Sequence, residues 1–390
     1  MALCPSNTDC LDLIFQMLDQ VMKLHPDVSE FHIGCDEVFH LGLCDKCMAR
    51  MSQDSIGKDQ LFFDHIKKVA SYLRNKYPQL KTIIVWDDMF RCSHSSVVLA
   101  SGLGGIVEPM VWNYQPQLQL APGLWDNLAC VFPSVWIASA FKGATGPSTM
   151  VTNINFHLDN HQAWSHLLIS IRSKFKIVRG IALTGWQRYD HYAVLCELFP
   201  QGLPSLAVCL KFIQKDGSWE RQREIAEVGK WELFVSNHDS RHCSQRLLVC
   251  LGPLAWQGLV GEGYYGWTED SSSTWIPVCT FPGSDVYQLT IEFSHLHRAC
   301  TELFNGDGIS AWMNDFNVQR RFINPVHVET LYTRAESLME HCRSLASRLE
   351  PAFVDVFVSG VTEEWRECFL TPLLSRLEQF LNKARTFVGD

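Results

Sequence analysis

Apolar residues recur at helical spacing from Leu11 to Leu24, at Leu11, Ile14, Phe15, Leu18, Val21 and Met22. A short apolar run, Phe31 to Gly34, follows and ends in the acidic pair Asp36-Glu37. A second helical period, Asp59 to Tyr77, precedes the strand-like Thr82-Ile-Ile-Val-Trp86, which ends in Asp87-Asp88. Three further runs read as strands: Gly105 to Trp112, Ser134 to Ala140 and Gly180 to Trp186. The stretches between them are long enough for one crossover helix each. Continuous β-branched runs alternating with helices predict parallel strands covered on both faces. The helix after the last strand is expected from Pro204 to Gly229. From Trp231 to Pro282 no period persists, and from Val286 onward helical spacing returns, most clearly over Val328–Leu349 and Glu363–Thr386. The expected organisation is therefore a partial (β/α) barrel over residues 1–230, an irregular insert over 231–282 and a helical C-terminal region over 283–390.

Polar and aromatic residues collect at the C-terminal end of each run: Asp36, Glu37, Trp86, Asp87, Asp88, Trp112, Tyr114, Trp186, Arg188 and Asp190. A (β/α) barrel keeps its active site on the loops that follow its strands, and an open doubly wound sheet places its ligand at the same end.

Composition narrows the function classes. A 390-residue chain with 47% hydrophobic and 19% charged residues has the makeup of a globular protein with a large core. The formal charge of −9 offers no electrostatic footprint for nucleic acid. No run approaches the roughly 18 apolar residues of a membrane span. The first ten residues carry neither a basic nor an apolar signal-peptide segment. No Asn-x-Ser/Thr sequon occurs, and the 15 cysteines lack a small-domain disulfide spacing. Together these features predict a cytoplasmic protein, with the nucleus as a second location, that binds no nucleic acid and no membrane. A second copy of the chain is a candidate partner.

The strongest chemical signal is Phe31-His-Ile-Gly-Cys-Asp-Glu-Val38. Two adjacent carboxylates closing an apolar strand are costly to bury unless they are paired or used. This segment resembles the His-x-Gly-x-Asp-Glu signature of glycoside hydrolase family 20, the β-N-acetylhexosaminidases. Val85-Trp-Asp-Asp88, Val107 to Trp112, Ala138 to Gly146 and Leu183 to Tyr192 extend the resemblance. It implies a (β/α)8 TIM-type barrel and exo-acting removal of terminal β-linked N-acetylhexosamine, from a glycan or glycoconjugate, without cofactor or metal. In this family the substrate's own acetamido oxygen attacks the anomeric carbon. The resemblance assigns Glu37 as general acid and base and Asp36 as the group that orients the acetamido N–H. Trp86, Trp112 and Trp186 become the walls of an aromatic box, and Asp88 a further contact within it. His32 is placed either to order the acidic pair or, as a lone strand histidine, to pack as a structural residue.

The chain departs from the family in two places. Where members carry a tyrosine that bonds the acetamido oxygen, this chain reads Phe141-Lys142, which leaves Tyr114 or Tyr189 to supply the donor. Where many members carry a glutamate for the sugar hydroxyls, it has Arg188, with Asp190 just beyond. The family pair ends the fourth strand, whereas here it ends the first strand visible. The resemblance thus implies a barrel without its first three strands, about 80 to 100 residues at roughly 30 per unit. Strands near His32–Gly34 and Ile181–Thr184 would then each lack a neighbour.

Two other readings accompany this one. The first is a shortened, weakly active or inactive form of such an enzyme. The second is a double-displacement glycosidase pairing Glu37 with Glu108 or Asp88. Cys44-Asp-Lys-Cys47 has zinc-knuckle spacing but no second cysteine pair at the usual distance. His157 and His161 lie one helical turn apart without the glutamate of a zinc protease, and are expected on a polar surface.

Overall fold

The computed structural model describes residues 2–214, 265–266, 274–275 and 281–388. Its main sheet has five strands in sequence order: β1 (Glu30–His32), β2 (Thr82–Trp86), β3 (Glu108–Trp112), β4 (Ser134–Lys142) and β5 (Ile177–Gly185). β1 to β4 pair in parallel, with Phe31 opposite Ile83, Val85 opposite Pro109 and Val111 opposite Ile137. Helices alternate with them: α1 (Thr8–Leu24), α2 (Asp45–Asp54), α3 (Lys58–Lys76), α4 (Asp88–Arg91), α5 (Ser95–Ser101), α6 (Leu124–Ala129), α7 (Ile154–Ile171) and α8 (Phe199–Gln214). This is a partial (β/α) barrel, with β1 and β5 at the ends of the strand order. A helical C-terminal region follows.

Contacts divide the chain into two compact units. The first takes Met1–Ala140 and Asp159–Thr184; the second takes Phe141–Leu158 and the described residues from Gly185 onward. Side-chain parity sorts the first unit's strands. Ile83, Val85, Val111, Val135 and Ile137 face one way, into a core with Leu61, Phe62, Phe63, Ile66 and Leu73 of α3. The alternate positions Ile84, Trp86, Met110, Trp112, Trp136 and Ala138, with Ala182 of β5, form a separate cluster on the opposite face. A period of two along each strand requires this split, and it places the strand-end tryptophans on the face away from the helices.

In the second unit, Ser284–Asn305, Pro325–Val356 and Thr371–Arg385 pack around Phe293, Leu338, Cys342, Leu345, Leu349, Phe353 and Trp365. The continuous period expected over Glu363–Thr386 is broken by a π-helical turn at Arg366–Leu370. A two-stranded antiparallel pair, Tyr265–Gly266 with Thr274–Trp275, falls within the stretch expected to be an insert. Most of Trp231–Pro282 lies outside the described residues, as does the expected helix beyond Gln214. α8 begins at Phe199 rather than Pro204. Pro200 fits its first turn, where a missing N–H costs nothing.

His157 and His161 correct the surface expectation, being 0% and 1% exposed. His161 Nε2 meets the Ser139 hydroxyl at 2.8 Å, so a polar strand residue turns its face of α7 inward. Among the described residues no helix is long and apolar enough to cross a membrane.

Phe63 is fully buried, with its ring centroid 6.1 Å from that of Phe90. Phe63→Ala is expected to cost about 3–5 kcal/mol in chemical unfolding, the usual cost of an aromatic cavity. Ile169→Ala, on the exposed side of α7 at 72% exposure, should stay within about 0.5 kcal/mol of the parent.

Candidate active site

The loop after β1 carries the acidic pair in unusual backbone. Gly34, Cys35 and Glu37 all have positive φ, at 74°, 73° and 49°. Glycine adopts this conformation freely, but for Cys35 and Glu37 it costs about 1–2 kcal/mol each. Such strain persists only where surrounding contacts over-determine it, which is characteristic of functional loops.

Those contacts are explicit. Gly34 N–H donates to His32 Nδ1 at 2.9 Å, and Gly34 C=O accepts from Trp86 N–H at 3.0 Å. Phe39 N–H donates to the Glu37 carbonyl at 2.8 Å. The Glu37 N–H donates to Asp88 Oδ2 at 2.7 Å, while Asp88 Oδ1 accepts the Trp112 indole N–H at 3.3 Å. One carboxylate thereby fixes both the loop after β1 and the end of β3.

Asp87, beside it, is fully buried and holds Arg91 through both oxygens, at 2.5 and 2.7 Å. Arg91 also donates to the Trp112 carbonyl at 2.9 Å and lies 5.3 Å from the centre of the Trp112 ring. Burial pushes the Asp87 carboxyl up to about 6 despite this partner. Trp112 stacks on Tyr114 with centroids 5.3 Å apart. Tyr114 is hydrogen-bonded to Thr184, near enough to Asp36 for that charge to reinforce the rise in its phenol pKa that burial causes. The structure thus brings Asp36, Glu37, Trp86, Asp88, Trp112 and Tyr114 together at the C-terminal ends of three adjacent strands.

The electrostatics favour a protonated acid. Burial raises the Glu37 carboxyl, and the charges of Asp36 and Asp88 raise it further. Burial lowers His32 to about 4, which leaves a neutral imidazole tilted against Trp86 at 4.5 Å. Burial likewise pushes the Cys35 thiol up to about 12, so it offers no thiolate nucleophile at neutral pH.

Glu108 stands apart. It opens β3, four residues before Trp112, or about 13 Å along a strand. It pairs with Arg179 at 2.7 Å and accepts the Trp136 indole N–H at 2.8 Å. A nucleophile partnered with Glu37 needs about 5–5.5 Å between carboxyl groups, and a residue at the strand's other end does not supply it.

Trp186, Arg188 and Asp190 belong to the second unit. Both Arg188 terminal nitrogens bind Glu364 at 2.5 Å, and one also reaches the Ala193 carbonyl at 2.8 Å. The residue expected to meet sugar hydroxyls is therefore engaged with the helix Ser359–Trp365. Asp190 accepts the N–H groups of Tyr192 and Ala193 at 2.7 and 3.0 Å, forming a local turn, and Tyr189 is 53% exposed.

Sequence reading missed the group that anchors Trp186. Lys142, fully buried at the end of β4, donates its ammonium to the Trp186 carbonyl. Glu197, also buried and at φ 38°, accepts the Gly143 N–H and the Thr145 hydroxyl, the latter at 3.2 Å. Gly143 lies so close to the Trp186 backbone that a Cβ would sit 2.3 Å from its carbonyl oxygen. The only signal in the sequence was a lysine closing an otherwise apolar strand.

Burial raises Glu197 to about 7 and lowers Lys142 to about 8. A raised carboxyl stabilises the fold at acid pH and loses that advantage as pH climbs from the ordinary carboxylate range to about 7. A lowered lysine gains stability from about 8 upward, towards its ordinary pKa. Both groups thus place the pair's lowest contribution between about 7 and 8, where each is charged. Glu197→Gln should lower stability by about 3 kcal/mol, because the carboxylate charge that offsets the buried Lys142 ammonium is lost. Adding Lys142→Met should recover much of the loss and remove the dip near neutrality, as read from unfolding curves between pH 5 and 9.

Residues 1–120 match the family described as "Glycosyl hydrolase family 20, catalytic domain". The chain is 34% identical over 382 residues to a Homo sapiens protein named Hexosaminidase D, covering 97% of this chain and 71% of that one. A Bos taurus protein of the same name is 43% identical over 210 residues, covering 53% of this chain and 60% of that one. A solved structure, a β-N-acetylhexosaminidase from Bacteroides fragilis NCTC 9343, overlaps 52% of this chain and 39% of its own at 14% identity, with a TM-score of 0.35.

Proposed function

Because the chain belongs to glycosyl hydrolase family 20, we propose that it is an exo-β-N-acetylhexosaminidase that releases terminal β-linked GlcNAc or GalNAc with retention. The observation that carries this reading is the Asp36-Glu37 pair, held on a positive-φ loop at the C-terminal end of β1 with Asp88 bonded to the Glu37 N–H. Glu37 protonates the departing glycosidic oxygen while the substrate's acetamido carbonyl oxygen bonds to the anomeric carbon. Asp36 holds the acetamido N–H and balances the positive charge of the cyclic intermediate. Glu37 then takes a proton from the incoming water, which opens the ring. Trp86 and Trp112 line the sugar. Tyr114 is the favoured donor to the acetamido oxygen, because it stacks on Trp112 and feels the Asp36 charge. The substrate is a glycan or glycoconjugate, and the site of action is the cytoplasm, with the nucleus as a second location.

Double displacement through Asp88 is the competing mechanism, and both Asp88 oxygens already accept N–H bonds. Inhibition by a thiazoline mimic of the cyclised acetamido intermediate supports substrate assistance; a covalent adduct on Asp88 with a fluorosugar would replace it.

Glu37→Gln should lower kcat by about 10² to 10⁴ on substrates with poor leaving groups, the usual contribution of a positioned acid. A nitrophenyl N-acetyl-β-glucosaminide should suffer less. Wild-type rates on both would remove Glu37 from the acid role.

Asp36→Asn should slow acetamido sugars selectively and also move the alkaline limb of the remaining activity. Glu37 must be protonated to act, so activity falls as pH rises through its pKa. Removing a neighbouring negative charge lowers that pKa, so the limb should shift towards acid. An unmoved limb in a pH–rate profile would mean that Asp36 does not tune Glu37.

A further inference from the structure

Just beyond the catalytic loop, the first unit gathers three cysteines that no part of the proposed reaction uses. Cys4 Sγ lies 3.3 Å from Cys44 Sγ and 3.5 Å from Cys47 Sγ, and all three sulfurs fall within 4.8 Å of one another. Their burial is graded: Cys47 is buried, Cys4 half-buried and Cys44 exposed. All are free thiols. We propose that Cys4, Cys44 and Cys47 together bind one zinc ion through their sulfurs, with water in the fourth position.

The geometry suits a soft tetrahedral ion. Zinc–sulfur bonds near 2.3 Å set the sulfur–sulfur edge of a tetrahedron at about 3.8 Å. The Cys4–Cys44 and Cys4–Cys47 separations, 3.3 and 3.5 Å, lie within about half an ångström of that edge and well beyond the roughly 2.05 Å of a disulfide. The Cys44-x-x-Cys47 half is built as a zinc knuckle. Cys44 is the N-cap residue of α2 and Cys47 lies in its first turn. A thiolate at a helix N-terminus is favoured by the positive end of the helix dipole. The sequence offered only this half, because the third ligand lies across the fold at Cys4.

The supports around the sulfurs are preorganised too. The Ser6 hydroxyl donates to Cys47 Sγ at 3.4 Å, and the Lys46 ammonium reaches Asn7 Oδ1 at 3.0 Å. The segment before α1 is thus tied to the first turn of α2 at several points. On binding, the three thiols release their protons and the zinc trithiolate carries one net negative charge. Thiolate ligands select zinc over magnesium, calcium or manganese. Because the loop carrying Asp36 and Glu37 runs directly into Cys44, the ion would pin the far end of that loop without touching the sugar.

The test is metal content together with cobalt spectroscopy on the whole chain. Protein expressed with added zinc and desalted under reducing conditions should retain about one zinc per chain. Zinc content should fall roughly tenfold or more in Cys4→Ser and Cys44→Ser. The exposed Cys368→Ser should retain its zinc. Cobalt added to the zinc-stripped wild-type chain should give a sulfur-to-metal charge-transfer band and a tetrahedral visible spectrum, a result that needs no variant to fold. A wild-type chain that binds neither zinc nor cobalt would overturn the site. So would zinc content unchanged in a Cys4→Ser/Cys44→Ser chain, or a Cys4–Cys44 disulfide found by mass spectrometry in the reduced preparation.

Discussion

Asp88 accepts the Glu37 N–H at 2.7 Å and the Trp112 indole N–H at 3.3 Å, so one side chain at the end of β2 couples the loop after β1 to the end of β3. Most of the candidate site depends on that link. It acts with the Trp86 N–H, which holds the Gly34 carbonyl at 3.0 Å, to keep Glu37 in its positive-φ conformation. Asp87 makes the arrangement rigid by a different route, since its buried carboxylate fixes Arg91, and Arg91 fixes the Trp112 carbonyl. The two aspartates, at the N-cap and first position of α4, divide the work. Asp87 points into the packed interior, where only a paired charge is tolerable, and Asp88 points towards the acidic loop.

Strand parity explains why tryptophans rather than aliphatic residues end β2 and β3. Ile84 and Met110 lie two positions before Trp86 and Trp112, on the same face, and close the floor beneath them. A strand-end side chain on that face has packing below and open space above. A large flat ring can satisfy both conditions, whereas a charged or small group would leave either a burial penalty or a gap.

Much of this was legible in the sequence. The five strands and the clustering of acids and aromatics beyond them followed from apolar runs with polar terminations, because a parallel sheet covered by helices forces that pattern; the bounds shifted by up to three residues, β5 starting at Ile177 rather than Gly180. Other features were not legible, for reasons that can be stated. The electrostatic coupling of Lys142 to Glu197 and the meeting of Cys4 with Cys44 join residues far apart in the chain, and no local period encodes them. His157 and His161 read as surface because imidazoles are usually exposed, and only the Ser139 hydroxyl facing His161 reveals the inward face of α7. Arg188 sat where the family pattern points to a sugar contact, yet Glu364 claims it from a helix more than 170 residues later in the chain. The positive φ of Cys35 could not be read from its residue type, because nothing in cysteine favours that conformation.

Taken together, the titratable groups give the site a definite sign. Burial keeps His32, Cys35 and the Tyr114 phenol uncharged at neutral pH. Arg91, the nearby cation, is committed to Asp87. What remains facing the loop is the negative charge of Asp36 and Asp88, and both raise the Glu37 carboxyl. One field therefore does two things. It favours the protonated form of Glu37, and it lowers the energy of any positive charge placed beside the pair. A compensating cation within the cluster would weaken both effects at once. On this argument the commitment of Arg91 to the buried Asp87 matters to the site alongside the identity of the acids.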